Sequence, residues 1–186
     1  MREIAGLVGV LLLVSPASAA ELVSEFSEHY INNCTMLDSQ ESGEVAACPG
    51  LRGYPVMILE GDMKLFVSFG FNAEFERAAK QTLPTASNRI DPTMEWLLPA
   101  DDFTAPPIAT ILRWRTQVEQ AAPEGEVLVV TQVVPGATCQ IAWIDALANT
   151  NANELAHQAA EDLAGGFDCE TTMPQTYGKF AAFDID

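Results

Sequence analysis

Residues 55–70 read Pro-Val-Met-Ile-Leu-Glu-Gly-Asp-Met-Lys-Leu-Phe-Val-Ser-Phe-Gly: two apolar runs about a short polar break. Runs of this length, rich in β-branched and aromatic residues, read as strands. Gly61-Asp62 between them fits a two-residue hairpin, because Gly tolerates positive φ at the first turn position. Both runs are apolar on both faces, so they belong inside a sheet covered on at least one side.

Working outward, residues 126–134 and 138–144 repeat the pattern about Pro135-Gly136, a second hairpin. In the second of these strands Cys139, Ile141 and Trp143 share a face by alternation. Residues 34–37 and 45–48 read as short strands about a polar segment. Residues 94–98 form another, and 108–118 alternate with Arg113 and Arg115 opposite Leu112 and Trp114. Residues 83–92, polar with two prolines, read as a loop. Residues 71–81 carry Phe71, Phe75 and Ala79 at helical spacing.

Helices are expected at the two ends. Leu22, Phe26 and Tyr30 stand at i, i+4 and i+8, which predicts a short N-terminal helix over 21–32. Near the C-terminus, Asn151 is a cap with Glu154 as its capping-box partner. Leu155, Ala159 and Leu163 form the buried stripe, backed by Ala152, Ala156 and Ala160, and Gly165-Gly166 ends the helix. Hairpins rather than alternating strands and helices imply an α+β fold. It would be a mainly antiparallel sheet with the C-terminal helix packed on it and a short N-terminal helix.

The first twenty residues have the form of an export signal. Arg2 supplies a positive n-region, residues 4–14 are uncharged and mostly apolar, and Ala17-Ser18-Ala19-Ala20 offers small residues for cleavage. The apolar run falls short of the roughly 20 residues a spanning helix needs. The expected organisation is therefore a signal peptide over 1–20 and a single globular domain over 21–186, without a membrane span in the mature chain.

Four cysteines, Cys34, Cys48, Cys139 and Cys169, lie in the mature part. Export to an oxidising compartment makes an even count a disulfide set, and four cysteines allow three pairings. The favoured pairs are Cys34–Cys48 and Cys139–Cys169, each closing a local segment. Their spacing, without Cys-x-x-Cys or His-x-x-x-His, argues against zinc and against a redox motif.

Nine Lys and Arg against 26 Asp and Glu give a net charge of −17. That argues against nucleic acid and anionic membranes, whose recognition needs basic residues. It makes a cationic protein the expected kind of macromolecular partner, steered by clusters at Asp101-Asp102, Glu124 with Glu126, and Glu161-Asp162.

Candidate chemistry is sparse. His29 reads as a surface or helix-end residue. His157 has Glu154 and Glu161 on its own helical face, which could hold a metal only with further ligands. Asp145, Asn149, Asn151, Asn153 and Glu154 make an oxygen-rich junction, but Glu154 and Ala160 fall where an EF-hand needs Gly and a carboxylate. Turn and cap duty explains them better. Trp96, Trp114 and Trp143 fall in strands and read as core. Arg113 and Arg115 read as balancing nearby acids. No Gly-x-Ser-x-Gly and no Gly-rich phosphate loop occurs. No catalytic, cofactor-binding or metal-binding residue is singled out, and no cofactor is expected.

Several runs resemble those of small uncharacterised exported, periplasmic proteins of Gram-negative bacteria. They are Cys48-Pro49-Gly50 leading to Gly53-Tyr54-Pro55-Val56, Glu60-Gly61-Asp62, Phe66-Val67-Ser68-Phe69-Gly70, Gln81-Thr82-Leu83-Pro84, Ile111-Leu112-Arg113-Trp114 and Asp145-Ala146-Leu147-Ala148-Asn149. The resemblance implies a periplasmic address and carries no activity with it. The functional expectation is a non-enzymatic periplasmic binding or envelope-associated protein. A small periplasmic hydrolase and a lysozyme-inhibitor-like protein remain as alternatives.

Overall fold

A computed structural model describes residues 21–40, 43–102, 104–119 and 121–183. The export signal expected over 1–20 lies outside them. The quoted hairpin forms β4 (Pro55–Gly61) and β5 (Lys64–Phe69), preceded by β2 (Thr35–Gln40) and β3 (Gly43–Pro49). These four make one antiparallel sheet in the order β2-β3-β4-β5. A larger sheet has the order β1-β6-β7-β8-β9-β10. Its strands are β1 (Leu22–Glu28), β6 (Ser87–Pro99), β7 (Ala109–Gln117), β8 (Gly125–Gln132), β9 (Cys139–Asp145) and β10 (Gln175–Thr176). Every pairing in it is antiparallel except that of the two-residue β10 with β9.

The two sheets bury one core between them. Met94, Trp96, Leu112, Trp114, Val127, Val129 and Trp143 meet Ala46, Cys48, Val56, Ile58, Val67 and Phe69. The opposite face of the large sheet is covered by α1 (Ala152–Leu163), through Ile111, Leu128, Val130, Ile141 and Ile144. Alternation assigns each strand residue to one core or the other. The alanines Ala152, Ala156, Ala159 and Ala160 are the buried contacts of α1, whereas Leu155 and Leu163 are half-buried at its flanks. Small residues let the helix axis approach the sheet, which pushes the leucines to the edges of the contact.

The N-terminal helix is replaced by β1. A spacing of four is in phase with the strand period of two as well as with the helical period, so Leu22, Phe26 and Tyr30 do not separate the alternatives. Pairing decides: β1 lies along β6 from Leu22 opposite Pro99 to Glu28 opposite Thr93. Phe26 and Tyr30 are left 63% and 54% exposed.

Three other expectations shift. Residues 71–81 hold two 3-10 turns, Ala73–Phe75 and Arg77–Lys80, in place of one helix. Strand β6 begins inside the expected loop. Pro92 sits where its pairing with β7 slips between Ile90 and Met94, a place where a strand tolerates proline. Trp143 faces the inter-sheet core while Cys139 and Ile141 face the helix. The β8–β9 register skips Ile141 between Gln140 and Ala142, and that bulge reverses the alternation.

The hairpin turn is also displaced by one residue. Gly61 pairs with Lys64, so Asp62-Met63 is the two-residue turn, and both have positive φ (51° and 62°). That is the left-handed pair of a type I′ turn.

Both expected disulfides, Cys34–Cys48 and Cys139–Cys169, are present. The first joins the approach to β2 with β3. The second ties the segment after α1 to the start of β9. Such bonds fit an oxidising, extracytoplasmic compartment. No described helix is long and apolar enough to cross a membrane.

Candidate functional site

Alternation within the small sheet carries a polar row onto its core-facing side. Val56, Ile58 and Glu60 share a face of β4, as do Cys48, Ala46 and Glu44 on β3. The register sets Glu44 opposite Glu60 and Glu60 opposite Leu65, one row beyond Ala46, Ile58 and Val67. The sandwich core therefore runs out at one end into two facing carboxylates. Gly43 precedes this row at φ 130°, and a Cβ there would overlap the Glu60 carbonyl, so only glycine lets the strands close at the rim.

Across the gap, the large sheet contributes Ile90 from β6 and His29 from the end of β1. Together with Ile31, Met36, Ala46, Ile58 and Leu65 they line a cleft of about 360 Å³ with Glu44 and Glu60. That volume lies in the range of small-ligand sites, about 300–1,000 Å³. Like charges directly opposite on neighbouring strands repel. Among the described residues no Lys, Arg or His lies within ion-pair distance of Glu44 or Glu60.

His29 is the polar wall of this cleft, and it is buried, with 7% of its surface exposed. Its backbone N–H donates to Pro92 O, which holds it in line with β1. The Trp96 indole N–H donates to Ser27 Oγ at 2.6 Å, and Ser27 Oγ meets His29 Nε2 at 2.9 Å. Nδ1 is buried without a partner among the described residues. Burial lowers the imidazole pKa, against a smaller opposing pull from Glu28, so the ring is neutral near pH 7. The expectation of a surface histidine is corrected here. Its burial depends on Trp96, 67 residues away in the chain, which lies with its ring centroid 6.4 Å from that of His29.

The other candidates have structural occupations. His157 Nε2 lies 2.7 Å from Glu95 Oε1 on β6, so it ties α1 to the sheet through a carboxylate on another element. Asp145 is buried and accepts from the Leu147 and Ala148 amides through Oδ1 and from Ala181 through Oδ2. Asn149 bonds Asp145 O and both backbone groups of Lys179. Those oxygens organise the turn into α1 and the return of the tail. Asn151 stands at the N-cap position but makes no side-chain cap bond, so no capping box forms. Among the described residues no three His, Cys, Asp or Glu side chains converge as a metal site.

Trp96, Trp114 and Trp143 are core residues, at 0%, 1% and 7% exposure. Arg113 and Arg115 are taken up by acids. Arg113 bonds Glu126 at 2.7 Å, and Arg115 pairs with Glu126 and holds Asp91 through two bonds of 3.0 and 2.9 Å. The Arg115 hydrogen bond keeps the Asp91 carboxyl below its ordinary range, against a weaker effect of burial. Of the three acidic clusters, Glu124 and Glu126 are thus ion-paired. Asp101, Asp102, Glu161 and Asp162 stay exposed.

No family model, curated protein or solved structure matches the chain.

Proposed function

We propose that this is an exported, non-enzymatic binding protein of the bacterial envelope that receives a small ligand in the cleft at the open end of its two sheets. The observation that carries it is a coincidence at one place. An apolar lining, two carboxylates opposite one another without a cation among the described residues, and the buried His29 side chain all belong to the same cleft. Elsewhere among the described residues charged side chains are ion-paired, stand in solvent away from an apolar lining or, like Asp145 and Glu76, are buried on backbone amides. Two disulfides and the signal-like first twenty residues support an oxidising compartment outside the cytoplasm.

Methyl NMR with a panel of small apolar compounds tests the cleft. Shifts confined to Ala46, Ile58, Leu65 and Ile90 are expected. A panel that moves none of these methyls would reject the reading.

The Ser27–His29 contact is the one feature favouring the hydrolase alternative, since a serine beside an imidazole is how a nucleophile is activated. Against it, no carboxylate among the described residues orients Nδ1, and Ser27 Oγ is already tied to the Trp96 indole. A fluorophosphonate probe should leave Ser27 unlabelled; stoichiometric labelling at Ser27 would restore the hydrolase.

A further inference from the structure

We infer that the ligand of this cleft is an amphiphilic cation: an apolar body carrying a primary ammonium group. The inference rests on the cleft being the binding site. The two halves of the ligand follow from the two halves of the lining. Ala46, Ile58, Leu65, Ile90 and Met36 offer only dispersion and exclusion of water, which suit an alkyl or aryl body.

Glu44 and Glu60 set the other half. They stand opposite one another in the β3–β4 register on the core-facing side, both exposed where the apolar rows end at the rim. Two carboxylates in that arrangement repel, and among the described residues no basic side chain relieves them. Lys64, the nearest cation in sequence, belongs to the opposite face of β5 by alternation, since Leu65 and Val67 take the inner one. A bound ammonium would lie between the carboxylates and convert their repulsion into two charge-assisted hydrogen bonds.

His29 belongs to the same lining, and its Nδ1, enclosed and without a partner among the described residues, meets a ligand only if the ring turns toward the cleft. A neutral imidazole nitrogen is a hydrogen-bond acceptor when the ring proton is on the other nitrogen. An ammonium offers only donors, so His29 would carry its proton on Nε2, donate it to Ser27 Oγ and leave Nδ1 to accept. An anionic ligand would instead bring a third negative charge beside Glu44 and Glu60.

The test compares n-octylammonium, n-octanol and n-octanoate, three probes with one apolar body and three head groups. Titration calorimetry on the full chain at low salt, followed by methyl NMR, reads them. The ammonium should bind at least about tenfold more tightly than the alcohol, and the octanoate least. In Glu44→Gln/Glu60→Gln the ammonium should fall to the alcohol's affinity while the alcohol is unchanged. Glutamine matches glutamate in shape, and an unchanged melting curve confirms the fold. Nitrogen NMR of His29 should report the Nε2–H tautomer in the ammonium complex. Equal affinity for alcohol and ammonium, or an ammonium indifferent to the double substitution, would overturn the cation while keeping the cleft. Failure of all three to move the cleft methyls would overturn both.

Discussion

Gln132 shows how much one buried amide can hold. It is 1% exposed, at the end of β8. Its Oε1 accepts from Gly165 N at 2.8 Å and Phe167 N at 3.2 Å. Its Nε2 donates to Ala137 O at 2.8 Å and Phe167 O at 3.2 Å. It thus serves the chain leaving α1 and the β8–β9 loop together. Gln132→Leu keeps the volume but strands those backbone groups, each costing about 1–3 kcal/mol. A loss of at least about 3 kcal/mol is expected in urea unfolding; a shift under about 1 kcal/mol would mean water replaces the amide. His29 gives a second measurement. Its pKa is lowered by burial from 6.5 in the unfolded chain. Below about pH 6.5 the unfolded state takes up a proton that the folded state refuses, so stability present above that pH is lost as pH falls through the folded value. Asp91, lowered from 3.8, sheds its contribution only at more acid pH. His29→Gln should flatten the stability profile as pH falls below about 6.5 and leave the acid limb in place. An unchanged slope there would place the ring in water.

At the level of elements, turns and helix contacts are where local sequence and tertiary context diverge. The strands of the Pro55–Phe69 hairpin were legible because apolar β-formers leave few alternatives. The turn was not, since Gly61 attracts the positive φ that the register gives to Asp62 and Met63. Met63 holds φ 62° with its side chain 68% exposed. Met63→Gly should therefore stabilise by about 0.5–1 kcal/mol, relief of the left-handed strain exceeding the added unfolded-state entropy. A lowered melting midpoint would contradict the turn assignment. The last helix was readable from its period, but its buried side belongs to alanines. Ala156 is fully buried against the sheet, so Ala156→Leu should cost about 1–3 kcal/mol by overpacking. Leu163, half-buried, should tolerate polar replacement better. The reverse order in thermal melts would show the helix to be rotated about its axis. The cleft escaped notice for a related reason. Parity along Val56, Ile58 and Glu60 puts Glu60 on the core-facing side of β4, at its exposed rim. Its meeting with Glu44 and His29 depends on strand pairing and on β1, which four-residue spacing disguised as helix.

For the whole molecule the controlling quantity is a charge of −17. Net charge of this size loads the compact state with self-repulsion. Opposing it are the ion pairs, of which Arg89–Glu124 is exposed and worth little. The Arg113, Arg115, Asp91 and Glu126 group is half-buried and less open to screening. Salt therefore acts in two directions with unequal weight. It weakens a few pairs slightly and relieves the repulsion among the many acids left unpaired. The melting midpoint should rise as NaCl goes from about 0.01 M to about 0.15 M, where the Debye length falls from about 30 Å to about 8 Å. Asp101, Glu119 and Glu161 are exposed and have no ion-pair partner among the described residues. Neutralising them as Asp101→Asn, Glu119→Gln and Glu161→Gln should raise the low-salt midpoint and reduce the salt dependence. Cleft affinity for an ammonium probe should change far less than after Glu44→Gln/Glu60→Gln, because a distributed field falls off within the Debye length while the facing pair touches its ligand. A midpoint that falls with salt would mean that ion pairs outweigh repulsion. A triple variant that loses cleft affinity as fully as the double one would assign recognition to the overall field rather than to the two carboxylates.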